Sequence, residues 1–254
     1  MSAGPGKPAG EAEFYVGYLP RPGPATLRFA ALAALVVIAL AGALALALGA
    51  LVGDPGDGGY GDEVALTGTV EMTPYPLLRL PPNATGRGGR AVMLTGDGKF
   101  GVAPRAAELA GGGVTAKGFI IRRGDLDMLS LSLPDGLAAA PATSAPSAAV
   151  PLGRWRVSGE ICDGKCRAGA MRPGDGLAHK ACANLCISGG VPPVLVTAAP
   201  VEGRRFLLLA DADGGPMPAS ALDLVALPVT LEGMIERRDD LLVFRVDWSR
   251  ARPQ

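Results

Sequence analysis

Several large classes of function find little to work with in this sequence. Its 24 Lys and Arg are matched by 24 Asp and Glu, so it has no basic field to hold a nucleic acid and no acidic tail. One histidine in 254 residues excludes sites that need two imidazoles, among them the common His-rich zinc and copper centres and the Rieske cluster. There is no Cys-x-x-Cys-His for covalent haem attachment and no Cys-x-x-Cys pair of the thioredoxin kind. Nor is there a P-loop, a nucleophile elbow or a Ser/His/Asp set in a suitable context. Cysteine is scarce, at four residues. What the chain has in plenty is glycine (37) and proline (23), which makes it loop-rich, while a hydrophobic share of 48% is too high for a disordered chain.

From Phe29 to Val52 no residue is charged. These 24 residues make about 36 Å of helix at ~1.5 Å per residue, enough to cross a hydrocarbon core of ~30 Å with some tilt. Lys7, Arg21 and Arg28 precede the run, and Asp54, Asp57, Asp62 and Glu63 follow it. The positive-inside rule therefore predicts a single-pass protein of the bacterial cytoplasmic membrane, with residues 1–28 as a cytoplasmic tail and the bulk in the periplasm. A cleaved signal peptide is the competing reading, and the run is longer than the ~7–15 residues of a typical h-region. In the tail, Phe14–Leu19 reads as interfacial aromatics or as a docking peptide for a neighbouring membrane subunit. Asn83-Ala-Thr85 fits a glycosylation acceptor by pattern alone.

Beyond the apolar run the chain repeats itself. Residues 90–131 match 205–246 at a constant offset of 115: Arg90-Ala-Val-Met-Leu with Arg205-Phe-Leu-Leu-Leu, Val114-Thr115 with Val229-Thr230, and Gly118-Phe-Ile-Ile-Arg-Arg with Gly233-Met-Ile-Glu-Arg-Arg. Each copy starts with a short apolar run suited to a buried strand. A Gly-rich turn and a short helical segment follow, then two β-rich runs joined by a polar turn. The repeat extends backwards, with Val64–Val70 resembling Trp155–Ile161 and Pro74–Leu78 resembling Pro192–Val196. Five strands with one short helix and a strand-interior Gly predict two tandem OB-like five-stranded barrels, a mainly β fold. A five-stranded sandwich would read almost the same. The predicted domains are residues 53–135 and 152–250, joined by an uncharged Ala/Pro/Ser-rich linker over 136–151 that would let the two move semi-independently.

The copies differ in one place. Gly68 to Arg90 is 22 residues, whereas Gly159 to Arg205 is 46. The excess, an insert within 162–189, holds all four cysteines and the only histidine: Cys162-Asp-Gly-Lys-Cys166 and His179-Lys-Ala-Cys182-Ala-Asn-Leu-Cys186. Ala178–Ile187 is a good short helix by propensity, stopped at Gly189-Gly190. At about 100° per residue, His179, Cys182 and Cys186 fall within an arc of about 60°. Cys166 or Cys162 can approach from the loop to complete four ligands, a soft tetrahedral set suited to zinc or an iron–sulfur centre. Met171 can add a thioether, which would favour copper as Cu(I). Cys162 and Cys166 also have the spacing of a binuclear copper pair, but that site wants two His. The alternative reading is purely structural: in an oxidising compartment the four cysteines form two disulfides that tie the insert down in a non-catalytic interaction module. A thiol–disulfide exchange enzyme is a third reading, without a Cys-x-x-Cys helix start to support it.

The pattern of Gly159, Cys166, His179, Cys182-Ala183, Cys186, Gly190 and Pro192-Pro193 resembles that of an uncharacterised group of exported bacterial OB-like domains, over about 95 residues. The resemblance implies that Cys166, His179, Cys182 and Cys186 act together, with Cys162 an extra. It also implies companionship with membrane electron-transfer machinery, and no activity comes with it. The expectation is therefore an accessory or redox/metal-handling subunit of an integral membrane complex, a respiratory one among the candidates, with its centre in the second domain.

Overall fold

The computed structural model describes residues 22–52, 56–82, 89–132, 136–141 and 147–254. The aromatic cluster of the tail and the Asn83 acceptor pattern lie outside these residues. Helix α1 (Pro24–Val52) has 29 residues and starts five residues before the uncharged run, with Pro24 in the first helical position, where its fixed φ and missing N–H cost nothing. It is long and apolar enough to span a membrane, a property shared with signal sequences. Its apolar side chains, such as Leu32, Leu40 and Leu46, are exposed.

Residues 54–254 make a second unit, and it is mainly β. Strands β1 (Gly59–Glu71), β2 (Leu77–Leu80), β3 (Arg90–Thr95), β4 (Gly113–Arg123) and β5 (Leu126–Leu131) close into a five-stranded barrel in the order β1-β2-β3-β5-β4 and back to β1. All neighbours are antiparallel except β3 and β5, which run parallel. Helix α2 (Ala103–Ala107) lies between β3 and β4, where the repeat pattern predicted a short helical segment. A sixth strand, β6 (Leu137–Ala139), pairs with β4. It falls within the stretch read as linker, and Leu137 is buried.

The second sheet contains β7 (Val150–Asp163), β8 (Pro193–Val201), β9 (Arg204–Asp211), β10 (Pro228–Arg238), β11 (Leu241–Val246) and β12 (Arg252–Pro253). Its pairings match those of the first sheet one for one, including the parallel pair β9–β11 and the short outer strand β12 on β10. A 3-10 turn over Ala219–Leu224 stands where α2 stands in the first. The offset of 115 holds across the whole β4–β5 and β10–β11 hairpins.

Register corrects one alignment. Leu77 lies opposite Met93 and Val194 opposite Leu208, so Leu77 corresponds to Val194 rather than to Leu195. A strand slipped by one residue would turn every side chain to the other face, so the ladder is the more demanding guide. By the same reasoning Glu71, opposite Leu77, corresponds to Cys162, opposite Val194. The six steps from Glu71 to Leu77 become 32 from Cys162 to Val194, and the insert occupies this one connection.

The two repeats share a core, which rules out the semi-independent movement expected of them. In β2, β3 and β5, Leu78, Val92 and Leu129 fill the first barrel, while Leu77, Met93 and Met128 point the other way. They meet Val194, Phe206, Leu208 and Val243 of the second repeat in one buried layer. This is why these strands are apolar on both faces, where a half-exposed strand would alternate. Burying each of these side chains contributes roughly 1.5–3 kcal/mol. Polar groups seal the layer. Asp125 accepts from the Arg205 backbone N–H (3.0 Å) and its counterpart Asp240 accepts from that of Ala91 (2.9 Å). Arg79, buried, donates to Asp239 at 2.7 Å.

Candidate metal centre

The insert leaves β7 at Cys162–Asp163, makes a wide helical turn over Cys166–Ala170, and enters helix α3 (Lys180–Ser188) through a 3-10 turn at Leu177–His179. Asp163 starts the first turn by accepting from the Cys166 backbone N–H at 2.8 Å. The turn opens at Gly169 (φ 126), where only glycine is comfortable and where a Cβ would collide with the backbone of Gly59. His179 sits at the N-cap of α3, one position outside the helix expected to carry it.

Two groups of ligand atoms, each with all members within 4.8 Å of one another, share Cys166: Cys166, His179 and Cys182 in one, Asp163, Cys166 and Cys186 in the other. The four residues expected to act together are thus gathered around the Cys166 sulfur. All four cysteines are free thiols. Cys162 belongs to neither group: its sulfur faces Glu160 Oε1 at 3.5 Å, and Glu160 also accepts from the Gly176 N–H. Met171 Sδ lies 3.7 Å from Cys182 Sγ, on the more exposed side of the cluster. Cys166, Cys186, His179 and Asp163 are all buried, and Cys182 is half-buried.

Electrostatics separates the thiols. A hydrogen bond to Cys186, then burial and the Asp163 charge, hold the Cys166 thiol far above the ordinary range. The same hydrogen bond holds Cys186 below it, with help from Lys99. Cys166 is thus the donor of this hydrogen bond and Cys186 the acceptor. Burial, and then Glu160, push the Cys162 thiol well up. His179 Nε2 lies 3.0 Å from Asp163 Oδ2. A carboxylate on the far nitrogen is the usual support of a metal-ligating imidazole, because it fixes the tautomer and raises the basicity of the ligand.

No family model, curated protein or solved structure matches this chain.

Asp163, Lys99 and Lys165 were not found by sequence reasoning. Asp163 follows Cys162 directly and carried a readable signal, a carboxylate among candidate ligands. The lysines did not, because they act between the repeats. Lys165, buried, donates from the insert to the carbonyls of Gly96 (2.7 Å) and Gly98 (3.1 Å) in the first repeat. Burial lowers its pKa. Lys99, from that same first-repeat loop, reaches back to Cys182 Sγ at 2.7 Å, with Cys186 Sγ at 4.0 Å.

Proposed function

We propose that this chain is a membrane-anchored, extracytoplasmic metal-handling subunit whose two OB-like repeats present one Cys/His centre. Cys166, His179, Cys182 and Cys186 would hold a thiophilic ion, either zinc, copper or the iron of an iron–sulfur centre, and Met171 would add a soft donor at the rim. The observation that carries the reading is the buried meeting of three sulfurs, one imidazole and its supporting carboxylate at Cys166. A purely structural staple has no use for His179 or for its bond to Asp163. The charge-asymmetric flanks of α1 support an N-in orientation with the centre in the periplasm. The partner class we favour is an integral membrane complex of the electron-transfer type. The test is elemental analysis of natively purified full-length protein. The reading expects metal near stoichiometry, lost in His179→Ala.

A second reading rests on the nearness of the Cys166 and Cys186 sulfurs. In an oxidising compartment these two can pair, which would make the insert a disulfide-held interaction module. It predicts no metal and fewer than four titratable thiols.

A further inference from the structure

We infer that Lys99, carried by the repeat that has no cysteine or histidine, is a positioning residue of the metal centre in the other repeat. Its ammonium would hold the Cys182 sulfur in place and offset the charge of the thiolate ligands. This rests on the metal reading above and adds to it the idea that the centre is assembled by both repeats.

The contact is built into the fold. The loop after β3 turns through Asp97 and Gly98 and runs against the end of α3, where Gly101 N–H donates to the Gly189 carbonyl at 2.8 Å. Glycine is required on both sides of this junction. A Cβ on Gly101 would collide with the Gly190 carbonyl, and one on Gly189 with the carbonyl of Lys99 itself. Bringing the backbones into contact lays the Lys99 side chain over the face of α3 that carries the sulfurs. Lys165 holds the same loop from the other side through the Gly96 and Gly98 carbonyls. At the repeat offset of 115, the position of Lys99 is taken by Gly214 in the second repeat. The sulfurs and the cation are thus divided between the copies.

Charge gives the contact its purpose. Three thiolates around a divalent ion leave a net negative centre, more so around a monovalent one, and most of this set is buried. Buried charge persists when it is paired and hydrogen-bonded. Lys165 and Lys180, the lysines of the insert itself, have their ammonium groups on carbonyl oxygens, whereas that of Lys99 points at two sulfurs. A hydrogen bond to a ligand sulfur also draws charge from it, so the bond should be visible in the spectrum of a bound ion. Hydrogen-bonding partners of metal-ligating side chains commonly carry about 10–100-fold in metal affinity.

The test uses the full chain in detergent, stripped of metal and titrated with Co²⁺ in competition with a chelator. Lys99→Met, Lys99→Gln and Lys99→Arg are compared with the unaltered chain. The expected result is a thiolate-to-cobalt absorption in the unaltered chain. Lys99→Met and Lys99→Gln should show affinity lower by about 10–100-fold and the absorption moved to longer wavelength. Lys99→Arg should recover most of both. The melting temperature of the metal-free variants should stay near that of the unaltered chain, which separates lost support from lost folding. Unchanged affinity and band in both neutral variants would overturn the inference while leaving the metal reading intact. So would an Lys99→Arg protein no better than Lys99→Met. An unaltered chain that binds no cobalt at all would overturn the metal reading and the inference with it.

Discussion

Asp163 Oδ2 and His179 Nε2 lie 3.0 Å apart, both buried, across the neck of the cysteine-bearing insert. The same carboxylate accepts from the Cys166 N–H through its other oxygen. One side chain therefore orients the imidazole and fixes the backbone of the shared sulfur ligand. Asp163→Asn keeps an oxygen for the Cys166 N–H and removes the charge behind His179. Metal affinity should fall by about 10–100-fold, measured by chelator competition, with little change in melting temperature. If the variant instead unfolds and keeps its affinity, Asp163 is a capping residue only.

Arg79 and Asp239 make a buried ion pair between the repeats at 2.7 Å. Removing one partner of a buried pair costs about 3–5 kcal/mol, and without Asp239 the buried Arg79 keeps Glu71 as its one carboxylate. Asp239→Ala should lower the melting temperature by about 6–20 °C, at ~2–4 °C per kcal/mol for a unit of this size. A change of a degree or less would mean that Glu71, also bonded to Arg79, suffices alone.

The shared layer predicts that the second repeat does not fold by itself. A chain of residues 150–254 would expose Val194, Phe206, Leu208 and Val243, all buried against the first repeat. Such a patch on an isolated domain promotes association. Its chemical unfolding should lack a cooperative transition, or it should elute as an aggregate. A monomeric fragment with a sharp transition would show the repeats to be separable.

The thiols should differ in reactivity in the metal-free protein. Cys182 is half-buried, while Cys162 is buried and its pKa is raised by that burial and by Glu160. Timed alkylation read by mass spectrometry should modify Cys182 first and Cys162 far more slowly. The raised pKa also sets a sign for stability. Above the ordinary thiol range the unfolded chain loses the Cys162 proton while the folded chain keeps it, so stability falls as pH rises from there. Cys162→Ala should flatten that alkaline decline; an unchanged slope would place its origin elsewhere.

The repeat, the hairpin turns, the apolar helix and the Cys/His insert were all legible because each has a local signature: an offset of 115, polar turn pairs, a run of uncharged residues, and a lone cluster of rare side chains. The short apolar runs of β3 and β9 pointed to buried strands, and the shared layer is what buries their second face. What stayed hidden is what depends on one repeat meeting the other. Lys99 and Lys165 are ordinary lysines in sequence; the Gly101–Gly189 junction brings Lys99 to the centre and sets the loop carbonyls that Lys165 holds. The Leu137–Ala139 strand hid in a low-complexity stretch because three residues, Leu-Ala-Ala, are too few to carry a period. The one-residue error at Leu77 came from aligning prolines, whereas the ladder aligns faces.

One measurement tests most directly whether Cys166 anchors a metal centre. Full-length protein purified without chelators is assayed for metal by elemental analysis and for free thiols in parallel, beside Cys166→Ser. The account predicts bound metal in the unaltered chain, with four thiols titrating once the metal is removed, and loss of the metal in Cys166→Ser. Metal-free protein without titratable thiols would contradict it.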